Sequence, residues 1–228
     1  MSGSELTFDV LKDDEKVRAY ITAGDSALKA LGYTDHSFPH VYKTAKTAAG
    51  LLSDLGCVRR DMELAEIAGL LHDLGNVVSR SSHALTGGVL AESILSKYDM
   101  PPNEIAAVMT AIGNHDEETG RPVSVIAAAL ILADKSDVRR SRVTERDMNK
   151  ILADIHDRVN YAVTSGDISV RAGEGGAKKI VLDLHIDASV CSVMDYFEIF
   201  LTRMLMCRRA AAYLDAQFEL IINDLKIM

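Results

Sequence analysis

The chain of 228 residues contains no tryptophan, and aromatic residues make up only 5% of it. Alanine, leucine, isoleucine and valine must therefore fill the interior, which suits closely packed helices. Hydrophobic residues amount to 48% and charged residues to 25%, which are ordinary values for a folded globular protein. The length suffices for one large domain, or for one domain with a small appendage.

Cysteine, positive charge and long apolar runs are also scarce. The three cysteines, Cys57, Cys191 and Cys207, show no CxxC spacing, which predicts reduced thiols. The net charge of −8 argues against a nucleic-acid polymer as partner, although a site of opposite local sign can still bind phosphate. The N-terminus lacks a signal pattern, and the longest apolar stretch, "VIAAALILA", is too short to span a bilayer. We expect a cytoplasmic protein without a membrane partner.

Helical spacing dominates the first two-thirds of the sequence. Acidic residues, prolines and glycines at the expected ends support the individual helices. Seven helices are predicted, within residues 13–31, 39–56, 61–75, 83–98, 103–117, 122–137 and 145–157.

In parts of the last third, alternating apolar and polar residues replace the helical spacing. Strands are predicted within 160–171 and 178–187, joined by the hairpin loop "AGEGGA", and a long helix within 190–215 precedes a last strand within 218–227. The fold class is mainly α (α+β overall), with a small C-terminal antiparallel β-sheet plus helix. We expect an N-terminal helical segment (1–35), a helical domain (36–145) and a C-terminal α+β subdomain (146–228).

Five of the predicted helices carry a polar residue on the side that their apolar residues would bury. In the sixth helix, Ile126, Leu130 and Asp134 follow one another at steps of four, so Asp134 lies on the buried side. The second to fifth helices align a histidine with their apolar residues in the same way: His40, His72, His83 and His115.

These buried polar residues favour a metal site. A buried carboxylate without a partner costs on the order of several kcal/mol, so Asp73 and Asp134 need partners. Each histidine taken alone is more often a hydrogen-bonded core residue, and Asp134 alone would pair with Lys135 or an arginine. Together, four histidines and two aspartates suit Fe, Mn, Co, Ni or Zn. Successive helical residues point about 100° apart, so we expect His72 to bind one ion and Asp73 to bridge to a second.

These residues resemble a known family. His40, then "LLHDLG" with His72 and Asp73, then "ALILADKSD" with Asp134 resemble the H…HD…D signature of the HD superfamily of metal-dependent phosphohydrolases. The resemblance covers roughly residues 36–140 and implies an HD-domain helical bundle for the predicted domain 36–145. "SHALTGGVLAESIL" and "AIGNHDEETG" resemble stretches of HD-GYP relatives, which implies a dinuclear site that includes His83 and His115.

The resemblance also implies the ligand sets. One ion would be held by His40, His72, Asp73 and Asp134, and the other by Asp73, His83 and His115. Two divalent transition-metal ions are expected, Fe or Mn first, with Zn, Co or Ni as alternatives. The sequence departs from HD-GYP proteins because Asn76 replaces a lysine, Asp116 replaces a histidine and the GYP stretch is missing. These departures argue against cyclic di-GMP as the substrate.

The activity implied is hydrolysis of a nucleotide or other small phosphate ester by a metal-activated hydroxide. Asp73, Asp134 and Asp116 are the predicted catalytic residues, the last two as groups that steer water or accept its proton. Substrate contacts are predicted from His36, Lys43, Arg80, Lys135 and Arg139. Each of these predictions has an alternative. His36 would instead lie at the surface, and "KSDVRRSR" would be a solvated helix end.

Other classes of function stay open at this point. One is a di-iron oxygenase on the HD fold, and the other is a non-catalytic metal-binding sensor module, although the complete set of core ligands counts against the latter. The alternating strands of the last third must bury one face, against their own helix or against a second chain. A homodimer is therefore an open alternative.

Overall fold

The computed structural model describes residues 6–228. Residues 1–5 of the predicted segment 1–35 lie outside this part. The helices are α1 (Phe8–Leu11), α2 (Glu15–Ala30), α3 (Phe38–Asp54), α4 (Arg59–Leu71), α5 (His83–Leu95), α6 (Pro102–Gly113), α7 (Val125–Lys135), α8 (Met148–Ala153), α9 (Ile155–Ala162) and α10 (Val193–Tyr213).

The structure divides the predicted helix 145–157 into two. Asp154 adopts an extended backbone (φ −91°, ψ 124°) between α8 and α9, and its side chain accepts hydrogen bonds from the backbone N–H groups of His156 and Asp157. Asp154 therefore caps the new helix, as its residue type favours. The single turn α1 has no helical periodicity to reveal it, because it contains only four residues.

The C-terminal strands form one four-stranded sheet in the order β1 (Val163–Ala172), β2 (Lys178–Ile186), β3 (Ala216–Ile222) and β4 (Leu225–Lys226). β1 and β2 are antiparallel, β2 and β3 are parallel, and β3 and β4 are antiparallel. The prediction of an antiparallel sheet is therefore wrong for the central pair. The connection through α10 carries the chain back to the end where β2 began, so β3 runs in the same direction.

The predicted last strand, 218–227, also differs from the structure. It is a short hairpin of β3 and β4, in which Asn223 and Asp224 take left-handed φ values of 50° and 64°. Asn and Asp tolerate this conformation better than other non-glycine residues, which explains the reversal.

One hydrophobic core joins the helices to the sheet. It includes Leu130 of α7, Leu182 of β2 and Phe200 of α10, all of which are almost fully buried. α7 lies in the middle of this core, with nine of its eleven residues buried. Among residues 6–228, no helix is long and apolar enough to cross a membrane.

Several helix ends meet on one side of α7. The segment 72–77 after α4 approaches the start of α5 so closely that a Cβ added at Gly75 would lie 1.9 Å from the carbonyl oxygen of His83. Gly69 allows a similar approach of α4 to α3, since its added Cβ would lie 2.5 Å from Cα of Ala45. These contacts bring the polar residues at the helix ends together.

Candidate metal centre

His40 lies in the first turn of α3 and is fully buried. Its Nδ1 lies 2.8 Å from Oδ2 of Asp137, a carboxylate that can only accept. Burial alone would raise the pKa of Asp137, but the hydrogen bond from His40 and the charges around it hold that pKa well below its usual range. Nδ1 of His40 therefore carries the proton, and its Nε2 lone pair points away from Asp137.

His72 and Asp73 follow the last residue of α4. Nδ1 of His72 donates to the carbonyl oxygen of Gly69 at 2.8 Å, so Nε2 is the ring nitrogen that faces Asp73 and Asp134. The backbone leaves the α4 geometry at Asp73 (φ −95°, ψ 4°). The side-chain amide of Asn76 donates to Oδ1 of Asp73 at 2.8 Å and fixes that carboxylate.

His83 and His115 complete the set of buried histidines. Nδ1 of His83 donates to the carbonyl oxygen of Arg80 at 3.0 Å, and Nδ1 of His115 to that of Ile112 at 2.6 Å. Their Nε2 atoms lie 3.1 Å apart. Since both Nδ1 atoms donate, two lone pairs face each other at this distance, an arrangement that a cation bound by both would stabilise.

Asp134 lies in the last turn of α7, beside the buried Lys135. Its Oδ1 is 3.3 Å from Nε2 of His40 and 3.6 Å from Nε2 of His72. Its Oδ2 is 2.8 Å from the ammonium of Lys135. Each carboxylate oxygen thus faces a different partner.

Asp73 lies between two groups of histidines. Its Oδ2 is 3.4 Å from Nε2 of His72 and 3.6 Å from that of His40, whereas its Oδ1 is 3.7 Å from Nε2 of His83. Two groups of residues each bring three donor atoms within 4.8 Å of one another. The first group is His40, His72 and Asp134, and the second is His72, Asp73 and His115. All six predicted ligands thus meet in one cluster, which we call the His–Asp cluster: His40, His72, Asp73, His83, His115 and Asp134.

Neighbouring groups of the cluster have pKa values shifted in opposite directions. Burial alone would lower the pKa of His72, but Asp73 and Asp134 outweigh it and raise that pKa to about 10. Burial, with the charge of His72, lowers the pKa of His115 to about 3. The carboxylates of Asp73 and Asp134 keep a pKa well below the usual range despite burial, because histidines surround both and Lys135 adjoins Asp134.

This donor set fits a transition-metal ion. The Nε2 atoms of His40 and His72 are buried without a hydrogen-bond partner. Every cluster histidine has its Nδ1 held by a fixed acceptor, which is how proteins orient metal-binding imidazoles. Imidazole nitrogens with carboxylate oxygens are the ligands that Fe, Mn, Co, Ni and Zn share.

A cavity of about 780 Å³ opens onto the His–Asp cluster. Four members of the cluster, Asp73, His83, His115 and Asp134, are among the residues that line it. Most of the rest of its wall comes from the loop between α2 and α3, the start of α5, residues 116–119 after α6, and side chains of α9 and α10. The cavity therefore gives a small molecule access to the cluster.

The structure divides the predicted substrate residues into two sets. His36, Arg80 and Lys135 line the cavity, as does Asp116, which was predicted as a catalytic residue. Lys43 and Arg139 are not among the residues that line it: their side chains bind Oδ1 of Asp137 at 2.9 and 2.8 Å, behind His40.

Three residues around the cluster were missed at the sequence level. Asp137 follows Asp134 by three residues, a helical spacing that could have identified it. Glu117 follows His115 by two residues and binds Lys135 at 2.7 Å, and Arg203 of α10 binds Glu117 at 3.1 Å. Nothing in the local sequence of α10 indicates that Arg203 reaches the cavity.

The sequence also matches a known protein family. A sequence model described as the HD domain matches residues 38–161, which is more than half of the chain. Ribonuclease Y of Fusobacterium nucleatum is 31% identical over 115 residues, which are 49% of this chain and 21% of that protein. An uncharacterized protein of Methanocaldococcus jannaschii, MJ1020, is 26% identical over 203 residues, which are 79% of this chain and 76% of that one.

One solved structure was also found. It is a predicted HD superfamily hydrolase from an uncultured Thermotogales bacterium, with a TM-score of 0.42 and 22% identity, covering 57% of this chain and 73% of that one. The chain spans only about a fifth of the length of the ribonuclease Y relative.

Proposed function

Because this chain belongs to the HD domain family, we propose that it is a metal-dependent phosphohydrolase that acts on a nucleotide or another small phosphate ester. The observation that carries the proposal is the convergence of four histidine Nε2 atoms and two carboxylates in one cluster, four members of which line a cavity. The six residues of the His–Asp cluster would hold two divalent ions, with Asp73 between them. Such ions, when bound, supply Lewis acidity and lower the pKa of water.

Arg80 is the best candidate to bind a substrate phosphate. The other lysine and arginine side chains that line the cavity, Lys135, Arg142 and Arg203, each pair with a carboxylate. Arg80 has no carboxylate partner among residues 6–228; it lies 3.5 Å from Nε2 of His83 and 5.4 Å from the ring centre of Tyr33. Its guanidinium therefore remains available to an anion.

Asp116 is the best candidate to accept a proton. Both oxygens of Asp134 already face partners, the histidines and Lys135. Asp116 lines the cavity beside His115 and forms no ion pair within residues 6–228. Its carboxylate would take a proton from an attacking water.

The test is metal content and turnover of purified protein, with a panel of phosphorylated metabolites and Mn²⁺ or Fe²⁺. We expect the wild type to bind two ions and to hydrolyse at least one ester. His72→Ala and Asp73→Ala should each lose metal and activity. The matched controls are His185→Ala and Asp224→Ala, because these two side chains are exposed, whereas those of the cluster are buried.

Two outcomes would refute the proposal. Full metal content in either cluster variant would show that the ligands are wrongly assigned. Bound metal with no turnover of any ester would show that the reaction is wrongly assigned, and oxygen-dependent turnover with iron would identify the oxygenase alternative.

A further inference from the structure

The strand β1 has one unpaired edge. It lies at the end of the sheet and pairs only with β2. Within residues 6–228, no hydrogen bond other than those of the β1–β2 ladder reaches the backbone of residues 164–172. Ile168 and Val170 lie on this strand and are only half-buried. A long edge strand with partly open apolar side chains is a template for another strand.

The charges on β1 are arranged symmetrically about Ser169. Asp167 precedes Ser169 by two residues and Arg171 follows it by two. Asp167 lies directly opposite Asp183 of β2, a like-charge pair that disfavours the sheet. No cation pairs with Asp167 within the part of the chain that the structure describes, whereas Arg171 lies 3.3 Å from Asp183.

We propose that the β1 edge is a self-association surface, on which a second copy of this chain binds through its own β1. Antiparallel pairing about a two-fold axis at Ser169 places Asp167 of each copy opposite Arg171 of the other. The same register places Ile168 opposite Val170. Asp167 of each copy thereby gains a cation, and the half-buried side chains of Ile168 and Val170 gain a neighbour.

The symmetry of the pattern selects the occupant. A strand from an unrelated protein would need an acidic and a basic residue at the right spacing, but it would not require β1 itself to be self-complementary. A two-fold dimer requires that complementarity, because each residue of the interface meets its own symmetry-related position.

Charge exchange tests the proposal. We expect wild-type protein in sedimentation equilibrium to show twice the chain mass of 24.8 kDa. Asp167→Arg places two arginines opposite each other in each half of the interface, and Arg171→Asp places two aspartates there. Each should weaken the dimer by roughly tenfold or more. The double variant restores opposite charges and should regain most of the association.

The design separates association from folding. Asp167→Arg puts a cation opposite Asp183 within the same chain, so the variant should fold with the secondary structure of the wild type, and circular dichroism checks this. Glu198→Arg, the same charge change on an exposed residue of α10, is the control and should leave the dimer intact. A monomeric wild type at the highest soluble concentration overturns the proposal. A dimer that Asp167→Arg leaves unchanged overturns it as well.

Discussion

The four cluster histidines owe their orientation to the acceptor that each Nδ1 has found. Three of these acceptors are backbone carbonyl oxygens three residues earlier in the chain, at Gly69, Arg80 and Ile112. The fourth is the carboxylate of Asp137, which arrives from another element. A charged acceptor, the carboxylate of Asp137, thus distinguishes His40 from the other three histidines.

The first prediction concerns this carboxylate. Asp137→Asn should weaken Mn²⁺ binding by about 10–100-fold, because the amide supports His40 less strongly than the carboxylate does. Isothermal titration with Mn²⁺ measures the change, and Asp224→Asn, an exposed aspartate, is the matched control. Unchanged affinity would mean that Asp137 does not hold His40 in its metal-binding orientation.

The second prediction concerns Arg80. In protein loaded with Mn²⁺, Arg80→Ala should weaken binding of inorganic phosphate by roughly tenfold, the equivalent of about 1.4 kcal/mol for one charge-assisted hydrogen bond. Arg121→Ala, an exposed arginine not among those lining the cavity, should bind phosphate as the wild type does. Equal affinities of both variants would remove Arg80 from the phosphate site.

The helices place the His–Asp cluster through their ends rather than their middles. His72 and Asp73 follow α4, His83 begins α5, and His115 follows α6. The segment after α4 reaches the start of α5 only because Gly75 has no side chain. The spacing between Asp73 and His83 therefore depends on this glycine.

The third prediction follows from that contact. Gly75→Ala should destabilise the protein by about 3 kcal/mol, the upper part of the range for overpacking, since the added Cβ meets backbone atoms that cannot rotate away. Gly50→Ala in α3 is the control, because nothing lies within 4 Å of its added Cβ. That variant should gain roughly 0.5–1 kcal/mol from helix propensity. Chemical denaturation measures both, and similar stabilities of the two variants would contradict the packing argument.

At the scale of the whole molecule, ion pairs beside the cavity join the segment after α6 to α7 and α10. Glu117, after α6, binds Lys135 of α7 at 2.7 Å and Arg203 of α10 at 3.1 Å. This network connects the helices that carry the His–Asp cluster to the C-terminal helix. Burial alone would raise the pKa of Glu117, but Lys135 and Arg203 lower it to about 2.

The fourth prediction is a pH dependence of stability. Because the pKa of Glu117 is lower in the folded chain than its ordinary value of 4.5, its contribution is complete above pH 4.5 and is lost as pH falls through about 2. Glu117→Gln should lose about 2 kcal/mol at pH 7, an amount reduced for the partial exposure of the side chain. The difference from wild type should shrink as the pH falls below 4.5.

The control for this measurement is Glu118→Gln, which changes the exposed neighbouring glutamate. Urea denaturation at a series of pH values should show no such gap for Glu118→Gln. A gap for Glu117→Gln that persists down to the lowest pH would show that the lost stability does not come from the charge of Glu117.

The sequence alone determined most of the helices and the residue types that they bury. Helical periodicity is a local property, so the steps from Ile126 to Leu130 to Asp134 were sufficient to place Asp134 inside. The same reasoning placed four histidines on buried sides, and the structure brings all of them into one cluster.

Only the tertiary structure decided which side chains from distant parts of the sequence contact these buried polar residues. Asp137 and His40 are 97 positions apart, and Arg203 and Glu117 are 86 apart, so no local pattern relates them. The parallel pairing of β2 with β3 and the open edge of β1 likewise depend on how α10 crosses the sheet. Periodicity determines which side of an element is buried, but packing of distant elements determines what that side touches.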